Sequence, residues 1–147
     1  MRPSLIIPRL RANCPIFAGN VAGAADFAAA IGADHFPAPY AYIVNLGDTP
    51  GENETIGVVT QVVTDRFLVV VCADNSVDDR GQDGGEQLED MREQLIAALI
   101  GWRPTEQHGP IAYTGSDGDP DMDRARIWHG YTFQADTIIT GTTTIDA

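Results

Sequence analysis

Residues Gln82 to Pro104, QDGGEQLEDMREQLIAALIGWRP, constrain this chain more than any other stretch. Apolar side chains recur at Leu88, Met91, Leu95, Ala98 and Leu99, and Trp102 continues the same stripe. That spacing is the recurrence of an α-helix with a single buried face. Glu86, Glu89, Asp90, Arg92 and Glu93 occupy much of the remaining surface. Asp83 followed by Glu86 has the form of a capping box, which satisfies two amide donors that a helix start leaves free. The acids crowd the first half, where the helix dipole favours them. Gly101 supplies a left-handed position past the end, and Pro104 prevents resumption. Burying four large side chains at about 1.5–3 kcal/mol each makes this helix the central buttress of the fold.

The remaining segments read as short helices and strands. Pro3 to Asn13 arranges Leu5, Ile6, Leu10 and Ala12 around a helix, with Pro8 as an obstacle. Either the helix begins near Ile7 with the proline in its first turn, or a longer helix is kinked there. Ile16 and Phe17 form a brief extended step. Ala24 to Ile31 is an alanine-rich helix ended by Gly32, and its small side chains suit a packed helical pair. Tyr40 to Leu46 is a strand bounded by Pro39 and Gly47-Asp48. The DTPGENE stretch, Asp48 to Glu54, is a polar loop without a core-forming residue.

Thr55 to Cys72 is the longest β-rich run. It is mixed from Val58 to Gln61 and continuously apolar from Phe67 to Cys72, as in a strand covered on both faces or central in a sheet. It makes one long bent strand or two successive ones, with Asp65-Arg66 at a bend or an exposed edge. Asp74 to Gly85 is acidic and contains glycine. Pro110 to Tyr113 is a short strand and Thr114 to Asp123 a polar loop. Ala125 to Ile139 then alternates with a period of two, the pattern of a half-buried antiparallel strand. The last residues, TGTTTIDA, are a frayed end or an arm that orders on a partner. One α+β domain over residues 1–147 is the economical reading.

The chain's formal charge of −12 narrows its partners. An acidic balance argues against a dedicated nucleic-acid groove, because phosphate binding rests on clustered positive charge. It suits a surface along which DNA slides without sticking. All nine basic residues are arginines. No apolar run reaches the roughly 18 residues of a membrane span, and the N-terminus lacks a signal-peptide core. Cys14 and Cys72 have no metal-type spacing and read as buried free thiols.

None of His35, His108 and His129 has a second ligand at helical spacing. Asp117, Asp119, Asp121 and Asp123 alternate like the start of a calcium loop, but Met122 stands where such a loop needs glycine and Pro120 interrupts it. Ser4, Ser76 and Ser116 lack the glycine frame of a nucleophile elbow, and Gly19 to Gly23 is too sparse to cradle a phosphate. No catalytic residue, metal or cofactor is expected.

One combination is more specific. A helical RL near the start precedes CPIFAGNVAGAADFAAAI, PAPYAYIVNLGD and the strand GVVTQVVTDRFLVVV. An acidic loop, a helix ending ALIGWRP and the aromatic strand IWHGYTFQAD follow. In this order they resemble the tail terminator proteins of long-tailed bacteriophages and of phage-derived tail-like particles, over nearly the whole chain. The resemblance implies an α+β fold with a mixed, largely antiparallel sheet flanked by helices on one side. It implies a structural virion protein, assembled in the host cytoplasm, whose homo-hexameric ring caps the head-proximal end of the tail tube. The ring would end tube polymerisation and form the joint to a head-completion or stopper protein. Its partners would be the tail tube protein, a sheath if the tail contracts, and DNA passing through the lumen without sequence-specific binding.

Contacts are assigned to Asp48, Glu52, Asn53 and Glu54 in the polar loop, to Arg66, and to the Trp102-Arg103 turn. The plainer readings stand beside them. The loop is simply solvated, Trp102 finishes the helix stripe, and Arg103 forms a surface ion pair worth little. Alternatives for the whole chain are a head–tail joining or neck ring, a monomeric binding module, and a small acidic hydrolase using the aspartate-rich loop with a divalent cation.

Overall fold

The computed structural model describes residues 1–31, 39–74, 82–116, 118–123 and 126–145. Gly32, His35, Ser76 and Asp117 lie outside these residues, as does the side chain of Asp83. In chain order the elements are α1 (Pro3–Asn13), β1 (Val21–Gly23), α2 (Ala24–Ile31), β2 (Tyr40–Pro50) and β3 (Val58–Asp74). They continue as α3 (Gln82–Leu99), β4 (Ala112–Ser116), β5 (Asp121–Asp123) and β6 (Arg126–Thr142). The result is an α+β fold: a six-stranded sheet in the order β1-β2-β3-β6-β4, with β5 also on β6. Every pairing is antiparallel except β1 with β2.

The buttress forms as its spacing requires. Leu88, Met91, Leu95, Ala98 and Leu99 are all buried, packed with Ile6 and Leu10 of α1 against Ile43, Phe67, Val69 and Phe133 of the sheet. Phe67 and Phe133 stack with ring centroids 5.5 Å apart. After Leu99, Gly101 takes φ +81° and its N–H donates to the Ile111 carbonyl at 2.9 Å. Ile111 N–H returns a bond to the Trp102 carbonyl at 3.0 Å, so the helix end is tied to the chain entering β4.

Helices lie on both faces of the sheet rather than on one. Successive strand residues point to opposite faces, and Tyr42 and Val70 form a second cluster with Phe27 and Ala30 of α2. The cause is β1, which is too short to read from a period of two. Because β1 runs parallel to β2, the segment between them must cross over, and that segment is α2. Among the described residues α2 therefore packs on the sheet, through Phe27 and Ala30, and not in the expected helical pair. Of the two readings of the first helix, the longer one holds, with Pro8 inside α1. One other correction is local. Pro15–Phe17 is a 3-10 turn, not an extended step, closed by Ala18 at φ 48°.

The strands run further than their sequence patterns suggest. Asp48, Thr49 and Pro50 pair with Asp65, Thr64 and Val63, so the polar loop begins only at Gly51. β3 is one continuous strand of 17 residues, and Asp65-Arg66 lie inside the sheet between β2 and β6. The irregularity is on the neighbouring strand, where Leu46 is the extra residue of a bulge and Gly47 has φ +86°. β4 begins at Ala112 and extends to Ser116, and the polar loop ends in β5. β6 continues to Thr142, which pairs with Val58, so Thr140 to Thr142 lie in the ladder and not in a free tail.

Candidate assembly interface

A 17-residue strand spans about 56 Å at 3.3 Å per residue, whereas the 18 residues of α3 span only about 27 Å. Sheet therefore projects beyond the helices that cover it. The projecting part, here called the arm, comprises β3 from Val58 to Arg66 and its partners Gln134–Thr142 of β6 and Gly47–Pro50 of β2. Its apolar residues point to both faces. Val58 and Val62 pair with Thr142 and Ile138, and Val59 and Gln61 pair with Gly141 and Ile139 on the other face. Val58, Val59, Val62, Ile138 and Ile139 are all 42–61% exposed. Ile56 at the tip is fully exposed.

Of the seven sequence-assigned contact residues, Asp48 and Arg66 belong to this arm, and Glu52, Asn53 and Glu54 to the turn at its tip. Asp48 is exposed on β2 directly opposite Asp65, whose carboxylate accepts a bond from the N-terminal ammonium of Met1. Arg66 is exposed and donates to the Thr49 hydroxyl at 3.2 Å. Glu52 and Glu54 are exposed in the turn. Asn53 is different, because its side chain holds the turn itself. Its Oδ1 accepts from Thr60 N–H at 2.9 Å and its Nδ2 donates to the Thr55 carbonyl at 3.0 Å.

The other two lie at the end of α3, on a second surface. Trp102 is half-buried against the core, and the Arg9 guanidinium sits 5.0 Å from the centre of its ring. Arg9 Nε also donates to the Ala98 carbonyl at 2.9 Å, which fixes α1 across the helix end. Arg103 makes no ion pair among the described residues; it donates to the carbonyls of His108 (2.8 Å) and Glu106 (2.7 Å). An open groove of about 510 Å³ separates this surface from the arm's base, lined by Met1, Arg2, Leu5, Asn45, Asp65 and His108 among others. Burial holds His108 below its ordinary value of 6.5, against the opposing pull of Asp65. Burial likewise pushes the Cys14 thiol up to about 11, so it is a packed, unreactive group at neutral pH.

The exposed apolar residues of the arm are what sequence reasoning missed. Their signal is the doublet pattern of VVTQVV beside TIIT, which fits neither one-sided nor two-sided burial. Among the described residues no group of three or more metal-ligating side chains converges, and no helix is long and apolar enough to cross a membrane.

The domain thus carries a projecting arm with exposed apolar side chains on both faces, and comparison with known proteins gives the setting. The model of the phage tail terminator protein family matches residues 1–144. The chain belongs to that family. Family membership gives it a structural role in a tail, as a component of a phage-type particle. No curated protein matches it. Among solved structures it is similar to a chain described as "Virion of native gene transfer agent (GTA) particle", with 13% identity and a TM-score of 0.59. That match covers 92% of this chain and 93% of the other, and at such low identity it speaks for the fold.

Proposed function

We propose that six copies of this chain close into a ring that caps the head-proximal end of the tail tube. The ring stops tube polymerisation at the correct length and presents its other side to the head-completion proteins. The observation that carries this reading is the arm. It exposes apolar side chains on both faces, which a structural member of a tail assembly has reason to keep only for contact with neighbours. Ring closure needs a heterologous contact, one patch against a different patch of the next copy. The virion particle named in the structural match is consistent with such a setting, and the acidic balance of the chain suits a lumen that repels the phosphate backbone and lets DNA pass.

The test is electron microscopy of tail tubes polymerised with and without the purified chain. The expected result is a six-fold density at one end of each tube and tubes of uniform length. Tubes that grow to unlimited length with the chain present, and bear nothing at their ends, count against the proposal.

A further inference from the structure

Charge is distributed unevenly along the chain. The first 25 residues contain Arg2, Arg9 and Arg11 and no acid, although the chain has 21 acidic residues and a formal charge of −12. Arg103 follows Trp102, whose ring carries Arg9, while Arg11 donates to the Val21 carbonyl at 2.8 Å. Among the described residues none of these four arginines has a carboxylate partner. The outer arm is the reverse. Asp48, Glu52 and Glu54 are exposed there, and the arm's one base, Arg66, lies at its inner end opposite Gly47.

From this we infer that the arm of one copy seats on the α1–Trp102 surface of the next. The inference rests on the ring reading above and names the contact that would close it. Arm against arm would bring like charges together, which disfavours an interface. Arm against α1 pairs acids with arginines. The receiving surface has the composition of an interface anchor, an aromatic ring with a guanidinium held on its face, and interface hot spots are enriched in both residue types. It also offers apolar area, since Ile100 is 41% exposed beside the half-exposed Trp102. The acidic stripe of α3 is a poorer match for the same arginines. Its exposed residues between Glu86 and Glu93 are all charged, so it brings no apolar surface to desolvate the contact.

The contact is heterologous, so each copy gives an arm on one side and receives one on the other. That repeats around a closed ring without leaving an unmatched patch.

Charge exchange in the full chain tests it, read by sedimentation of the ring–monomer equilibrium. Glu52→Arg with Glu54→Arg, and separately Arg2→Glu with Arg103→Glu, should each weaken assembly at least about tenfold. The chain carrying all four changes should regain it. Ile56→Ser, at a site too exposed to affect folding, should weaken assembly without altering the melting temperature. Cross-linking supplies the geometry. Ile56→Cys and Ser4→Cys chains should join to each other with a short thiol cross-linker, and Ile56→Cys chains should not join among themselves. Rings as stable as the parent's after arm charge reversal, or Ile56-to-Ile56 cross-links, overturn this contact and leave the ring reading standing. A parent chain that stays monomeric both alone and with tail tubes overturns the two together.

Discussion

Asn53 illustrates what a single polar residue in an exposed turn does here. Its side-chain bonds to Thr55, Val58 and Thr60 replace backbone pairing that the turn cannot provide. Asn53→Ala should therefore cost about 0.5–1.5 kcal/mol, and hydrogen exchange should quicken at the amides of residues 54–60 while the core stays protected. Glu52→Ala should change neither quantity; if it did, Glu52 would be part of the turn and not a free contact residue. His108 gives a prediction in pH. Its folded value is depressed below 6.5 by burial, so the unfolded chain takes up its proton first. Its contribution is intact above about pH 6.5 and is lost as the pH falls toward the folded value. His108→Asn should flatten the acid side of the melting-temperature profile below pH 6.5. An equally steep profile in the variant would assign the slope to other groups.

At the level of elements, burial separates scaffold from arm. Leu95 is fully buried in α3, and Leu95→Ala should destabilise the fold by about 2–5 kcal/mol. Val62 is 45% exposed on the arm, and Val62→Ala should stay within about 0.5 kcal/mol. Denaturant titration of the two variants checks the contrast, and comparable losses would mean that the arm is part of the cooperative core. The same division explains what could be read in advance. The α3 stripe follows from apolar spacing, which reports burial directly, and the limits of α2 from its alanine run. Thr140 to Thr142 are unburied, so nothing periodic marks them as strand; backbone bonds across the ladder hold them. β1 has three residues, too few to show a period, and without it the face taken by α2 is undetermined. Of the contact residues, Asp48, Glu52 and Glu54 stand out by lacking any core role. That the arm also exposes Val59 and Ile139 depends on how far the helices reach over the sheet, a property of three dimensions that no local pattern contains.

For the whole molecule, two electrostatic effects of opposite sign act on assembly. Each copy brings a formal charge of −12, and gathering copies into a ring sets these charges against one another over tens of ångströms. The arm–α1 contact opposes this with attraction at the range of touching side chains. Salt acts on the two differently, because the Debye length falls from about 30 Å at 0.01 M to about 10 Å at 0.1 M and about 3 Å at 1 M. Raising salt from 0.01 to 0.1 M removes most of the copy-to-copy repulsion and leaves pairs in direct contact largely intact. Going on to 1 M weakens those pairs, while the desolvated apolar contacts of Ile56, Val59 and Trp102 persist. Sedimentation across this range should therefore show assembly strengthening up to about 0.1 M and then weakening toward a plateau above zero. A steady decline from the lowest salt would mean that short-range pairs outweigh the net charge throughout. A steady rise would mean that the arginines of α1 meet no acid in the ring, which would remove the electrostatic argument for where the arm lies.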